Sequence, residues 1–86
     1  KTEEMAMSFP IVVDCQPGHG GESVPGVLHF GLANVAVKAL VDNWAGRAHC
    51  YFKLLGEDGA TYIVRHDLPA GLWELAFYDR GQEPDG

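Results

Sequence analysis

Ala48–Tyr78 reads AHCYFKLLGEDGATYIVRHDLPAGLWELAFY, and this stretch decides the fold. Two connections divide it. Gly56-Glu57-Asp58-Gly59 supplies hairpin turn chemistry, with Gly59 able to take positive φ without a Cβ clash. Asp67-Leu68-Pro69-Ala70-Gly71 is a second loop, in which Asp67 opens the turn by accepting from a backbone N–H further on. The runs between them, Ala48–Leu55, Ala60–His66 and Leu72–Tyr78, are rich in β-branched and aromatic residues. The stretch predicts a three-stranded antiparallel meander.

Alternation along a strand sorts the faces. Cys50, Phe52 and Leu54 oppose His49, Tyr51 and Lys53. Tyr62, Val64 and His66 oppose Thr61, Ile63 and Arg65. Trp73, Leu75 and Phe77 oppose Glu74, Ala76 and Tyr78. Apolar groups on both faces suit a strongly bent sheet, in which each end of a strand faces a different layer.

Three more runs precede the meander: Pro10–Cys15, Val27–Leu32 and Asn34–Val41. Period-two β-branched residues at Val35 and Val37 favour a strand over a helix in the last of these. The Gly-rich stretch 16–26 reads as a long flexible connection. The expectation is an all-β chain, a small SH3-like antiparallel β-barrel of five to six strands ending in the meander. It spans residues 9–79, with tails at 1–8 and 80–86. A meander with one short capping helix is the alternative.

Length and composition bound the function. The chain has 86 residues and a formal net charge of −6, from six Lys/Arg and twelve Asp/Glu. This excludes TIM barrels, full dinucleotide-binding domains and α/β-hydrolases. The acidity opposes generic phosphate-backbone binding and anionic membrane surfaces. No apolar run approaches the ~18 residues of a membrane span. Residues 1–8 carry Glu3 and Glu4 and lack a signal-peptide pattern, so a cytoplasmic location is expected, with Met5 or Met7 as the natural start. Cys15 and Cys50 are expected to be reduced thiols.

No chemical motif is complete. Residues 16–26 lack the P-loop pattern, and Gly21-Glu22-Ser23-Val24-Pro25 is not a nucleophile elbow. The histidines and cysteines lack zinc-site spacing, and adjacent His49 and Cys50 diverge on a strand. His66 and Asp67 diverge likewise, so they form no dyad. No catalytic residue, metal or cofactor is expected. One stretch is locally basic: between Val35 and Gly56, Lys38, Arg47 and Lys53 stand against Asp42 alone. An aromatic and basic surface of Trp44, Arg47, Tyr51, Lys53, Tyr62 and Arg65 is the candidate binding site, suited to docking peptides or stacking bases.

The string Trp44, Tyr51-Phe52-Lys53, Asp58-Gly59, Thr61-Tyr62-Ile63-Val64-Arg65-His66-Asp67, Trp73-Glu74-Leu75 resembles a small bacterial domain of unknown function, over roughly residues 10–79. Gly21-Glu22-x-x-Pro25 fits the same pattern. Related modules resemble tails found near error-prone DNA polymerase proteins. The resemblance names no biochemical role; its basic versions would suit a DNA-associated module, and this acidic chain departs from them, while the lack of a catalytic arrangement predicts a non-enzymatic module. The expected partner is a protein or peptide, with single-stranded nucleic acid as the alternative. The oligomeric state is expected to be monomer or weak dimer, the latter through an uncovered edge strand.

Overall fold

A computed structural model describes residues 9–80. Six strands follow in chain order: β1 Phe9–Pro17, β2 Ser23–Phe30, β3 Ala33–Ala45, β4 His49–Gly56, β5 Thr61–Asp67 and β6 Leu72–Asp79. Each pairs antiparallel with the next, and β6 returns to β1, closing a small all-β, SH3-like barrel. No capping helix occurs among the described residues, and none of their structure is a helix able to cross a membrane. Apart from Arg80, the tails expected at 1–8 and 80–86 lie outside the described residues.

The meander forms as its turn chemistry dictates. Gly59 takes φ +87° and Gly71 φ +70°, closing the β4–β5 and β5–β6 connections. Asp58 Oδ1 accepts from the Ala60 N–H at 3.0 Å, and Asp67 Oδ1 from the Ala70 N–H at 3.2 Å. Both bonds hold turn amides that would otherwise depend on water. Leu28, Leu54, Val64, Tyr62, Ala60 and Leu75 form the buried core, with Ile11, Phe52 and Trp73 packed against it.

Two corrections concern β1 and β2. The stretch 16–26 is not a long loop. β1 runs on to Pro17 and β2 begins at Ser23, with Cys15, Gln16 and Pro17 facing Pro25, Val24 and Ser23. Only residues 18–22 turn, held by the Gly18 N–H donating to Glu22 O at 2.6 Å. Pro25 is fully buried, so a residue expected to punctuate a loop instead fills the barrel wall.

Bulges supply the bend. Extra residues fall at Gly26 in β2, opposite the step from Asp14 to Cys15, and at Lys38 and Val41 in β3. Another, at Ala76 in β6, changes the faces after it. Leu75 lies opposite Val64 and is buried, whereas Phe77 lies opposite Ile63 and is 44% exposed. Phe77 therefore leaves the face expected to hold it with Trp73 and Leu75, because one extra residue inverts the alternation.

Candidate functional site

Register brings four expected or neighbouring residues into one row across the outer wall. Trp44 on β3 faces Tyr51 on β4, Tyr51 faces Arg65 on β5, and Arg65 faces Glu74 on β6. Trp44 and Tyr51 stack nearly parallel, with centroids 5.4 Å apart and planes 5° from each other. Arg65 Nε donates to Glu74 Oε1 at 2.8 Å, and its terminal nitrogen pairs with the same oxygen. Glu74 first, with a further contribution from Tyr51, holds the Arg65 guanidinium above its ordinary pKa. Trp44 is 43% exposed, so the end of the row at β3 is an aromatic surface open to solvent.

The other expected residues part company. Lys53 lies on the same wall, between Asp42 and Ile63 in the neighbouring strands. Arg47 sits exposed in the β3–β4 turn. Tyr62 is not on the surface, which corrects its place in the candidate site. It is 4% exposed, faces Leu54 across the sheet and belongs to the core. Its hydroxyl donates to Asp58 Oδ2 at 2.7 Å, so the one polar atom of a buried ring is satisfied at the barrel rim.

Beside the aromatic row the barrel wall is open. β2 pairs with β3 only from Val27–Phe30 to Ala33–Ala36. Beyond Ala36, β3 continues to Ala45 with β4 on one edge and no described strand on the other. Two local features fall where the strands part: Pro25 has no N–H to give to a neighbour, and β3 carries an extra residue at Lys38 in its ladder with β4. Two hollows line the open edge. One of about 510 Å³ lies between Gln16–Pro17, Val24–Pro25 and Val37–Leu40. The next, of about 280 Å³, is lined by Val24, Trp44, Tyr51 and Phe52. Leu40 and Val41 are 37% and 54% exposed along the same strand.

The sequence leads one to expect an uncovered edge strand without a place in the chain, because Pro25, which lies in β2, reads there as part of the 16–26 connection. Sequence reasoning missed the cross-strand polar pairs. His49 Nε2 lies 3.8 Å from Asp67 Oδ2, while His66 stacks on Trp73 at 4.1 Å, so Asp67 faces a histidine other than its sequence neighbour. Cys15 and Cys50 are free thiols. Among the described residues, no three His, Cys, Asp or Glu side chains gather as a metal site would require.

His29 on β2 sits between two oxygens. Nε2 is 2.8 Å from Asp14 Oδ2 and Nδ1 is 2.6 Å from Asn34 Oδ1. Only an imidazolium donates from both nitrogens. The bond to Asp14, then that to Asn34, raises the pKa above the ordinary 6.5. A raised histidine contributes stability that is fully present below pH 6.5 and is lost as pH climbs through the raised value. Asp14→Asn is expected to lower the titration midpoint of His29, read from its ring proton shifts. An unchanged midpoint would contradict the Asp14 contact.

No family model matches the chain. No curated protein and no solved structure matches it either. What remains shown of the family resemblance is its coarse form, a small all-β barrel.

Proposed function

We propose that the chain is a non-enzymatic, cytoplasmic protein- or peptide-binding module that takes an extended segment of its partner along the open edge of β3. The observation that carries this reading is the run Val37–Ala45, paired with β4 on one side and with no described strand on the other. An exposed strand edge offers a row of backbone donors and acceptors, and strand addition uses them for affinity. The hollow against Trp44, Tyr51 and Phe52 supplies a place for a side chain of the added segment, which is how such binders gain selectivity. The bacterial origin suggested by the Trp/Tyr-Phe-Lys/Asp-Gly string belongs to the same proposal.

Single-stranded nucleic acid is the second reading, drawing on the Trp44–Tyr51 stack with Arg47 and Lys53 nearby. It is the weaker one, because Arg65 is engaged by Glu74 and the whole chain carries −6.

Panning a random peptide library against the full chain tests the proposal. Selected peptides are expected to slow amide exchange along Val37–Ala45 but not along the β5–β6 ladder. Trp44→Ala should weaken their binding at least ten-fold. Protection confined to another strand would overturn the edge reading. Saturable binding of a short oligothymidine at low salt, lost in Trp44→Ala, would favour the nucleic-acid reading instead.

A further inference from the structure

At the opposite end from the β1–β2 turn, the barrel mouth holds a third, chemically distinct hollow. It has a volume of about 370 Å³, lined by Phe30, Val35, Asp58, Tyr62, Leu75 and Tyr78. Tyr62 forms its floor. Phe30 stacks against that ring at 5.7 Å and Tyr78 tilts against it at 5.2 Å, giving an aromatic cup of three rings. A neighbouring apolar trough of about 320 Å³ shares Phe30 and Leu75 and extends the cup toward Phe9 and Ile11.

One charged group lines the cup. Asp58 is exposed, and its oxygens already accept from Tyr62 Oη and the Ala60 N–H. The hydrogen bond from Tyr62 lowers its pKa, so the carboxylate remains charged in ordinary buffers. Among the described residues no Lys, Arg or His forms an ion pair with it. Two oxygens carry about four lone-pair sites, so an acceptor site is left on each. Glu57, adjacent in the same turn, adds negative potential. Aromatic faces attract cations through their quadrupoles, and rings set around a carboxylate favour an ammonium group on an apolar stem.

We propose that this mouth binds the alkylammonium side chain of a lysine or methyl-lysine presented by a basic segment of a partner protein. The stem packs on Phe30, and the head rests against the exposed Tyr78 ring beside Asp58, above the buried Tyr62. The site shares no lining residue with the hollows on the β3 edge, so it stands or falls separately from the peptide-binding reading.

Titrating the full chain with Nα-acetyl-lysine methylamide, its Nε-trimethyl form and the neutral Nα-acetyl-norleucine methylamide tests the proposal by NMR at low salt. Both cations are expected to shift Phe30 and Tyr78 signals saturably, and norleucine is not. Asp58→Asn keeps one oxygen to accept from the Ala60 N–H and turns its amide NH2 toward the Tyr62 hydroxyl, which then accepts; it removes the charge and should weaken cation binding at least ten-fold. Tyr78→Ala, which removes a half-exposed wall, should do the same while the remaining spectrum stays dispersed. Equal affinity for norleucine, unchanged affinity in Asp58→Asn, or no saturable shift with either cation overturns it. The β3-edge amides report on the other site in the same spectra, so failure at one is seen apart from failure at the other.

Discussion

Replacing Tyr62 with alanine is expected to lower unfolding free energy by about 3–5 kcal/mol, the range for truncating a large buried aromatic. At about 4–8 °C per kcal/mol for a domain of this size, Tm falls by on the order of 12–40 °C. The ring is 4% exposed and touches Phe30 and Tyr78, so its loss opens the core beneath the barrel mouth. Tyr62→Phe keeps the ring and removes only the bond to Asp58. Water reaches that carboxylate, so the expected cost is about 1 kcal/mol. Thermal melts of the two variants separate packing from hydrogen bonding, and comparable Tm losses would contradict the burial of the ring.

The same side chain makes the barrel sensitive to alkali. Burial, and then the bond to Asp58, push the Tyr62 phenol well above its ordinary value of 10. Its unfolded counterpart ionises near 10 while the folded one stays neutral. The associated stability is therefore fully present below pH 10 and declines as pH rises above it. Urea midpoints measured on either side of that value should fall for the wild type, with a smaller fall for Tyr62→Phe.

Leu75→Ala and Phe77→Ala form the second large contrast. Leu75 is 6% exposed and faces Val64, so its truncation is expected to cost about 2–5 kcal/mol. Phe77 is the bulkier residue but is 44% exposed, beyond the bulge at Ala76. Its truncation is expected to cost below about 1 kcal/mol. Chemical denaturation distinguishes the pair. An equal or reversed order would mean that β6 runs without its bulge.

That contrast also locates what the chain makes legible. β4, β5 and β6 fall within one residue of the expected Ala48–Leu55, Ala60–His66 and Leu72–Tyr78 at each end, because Gly59, Asp67 and Gly71 define their turns locally. A bulge has no such local mark. Ala76 looks like any strand residue, and its consequence for Phe77 depends on the partner strand. Tyr62 was grouped correctly with Val64, but alternation does not say which face is inward when both carry apolar groups. The face it shares with His66 pointed to a basic surface, whereas His66 stacks on Trp73 and Asp58 meets the Tyr62 hydroxyl at the rim. Trp44, Tyr51 and Arg65 share the outer wall as their parity allows, yet the Arg65–Glu74 bond that limits the arginine follows only from cross-strand register. The open β3 edge is likewise a property of pairing, since it arises where β2 leaves β3.

Among the described residues, the ladder that closes the barrel is the shortest. Phe9, Pro10 and Ile11 are the described residues of β1 that meet β6, at Leu75, Glu74 and Trp73, and Pro10 has no amide hydrogen to contribute. Every other junction is longer and draws on a hairpin connection, whereas this one joins the two distant ends of the described chain. Loop-closure entropy falls most heavily on such a contact, so it forms late during folding and gives way early under stress. The cylinder thus behaves as a sheet with a clasp. Release at β1–β6 leaves the β4–β5–β6 meander paired, and it momentarily uncovers the facing borders of β1 and β6 that closure conceals.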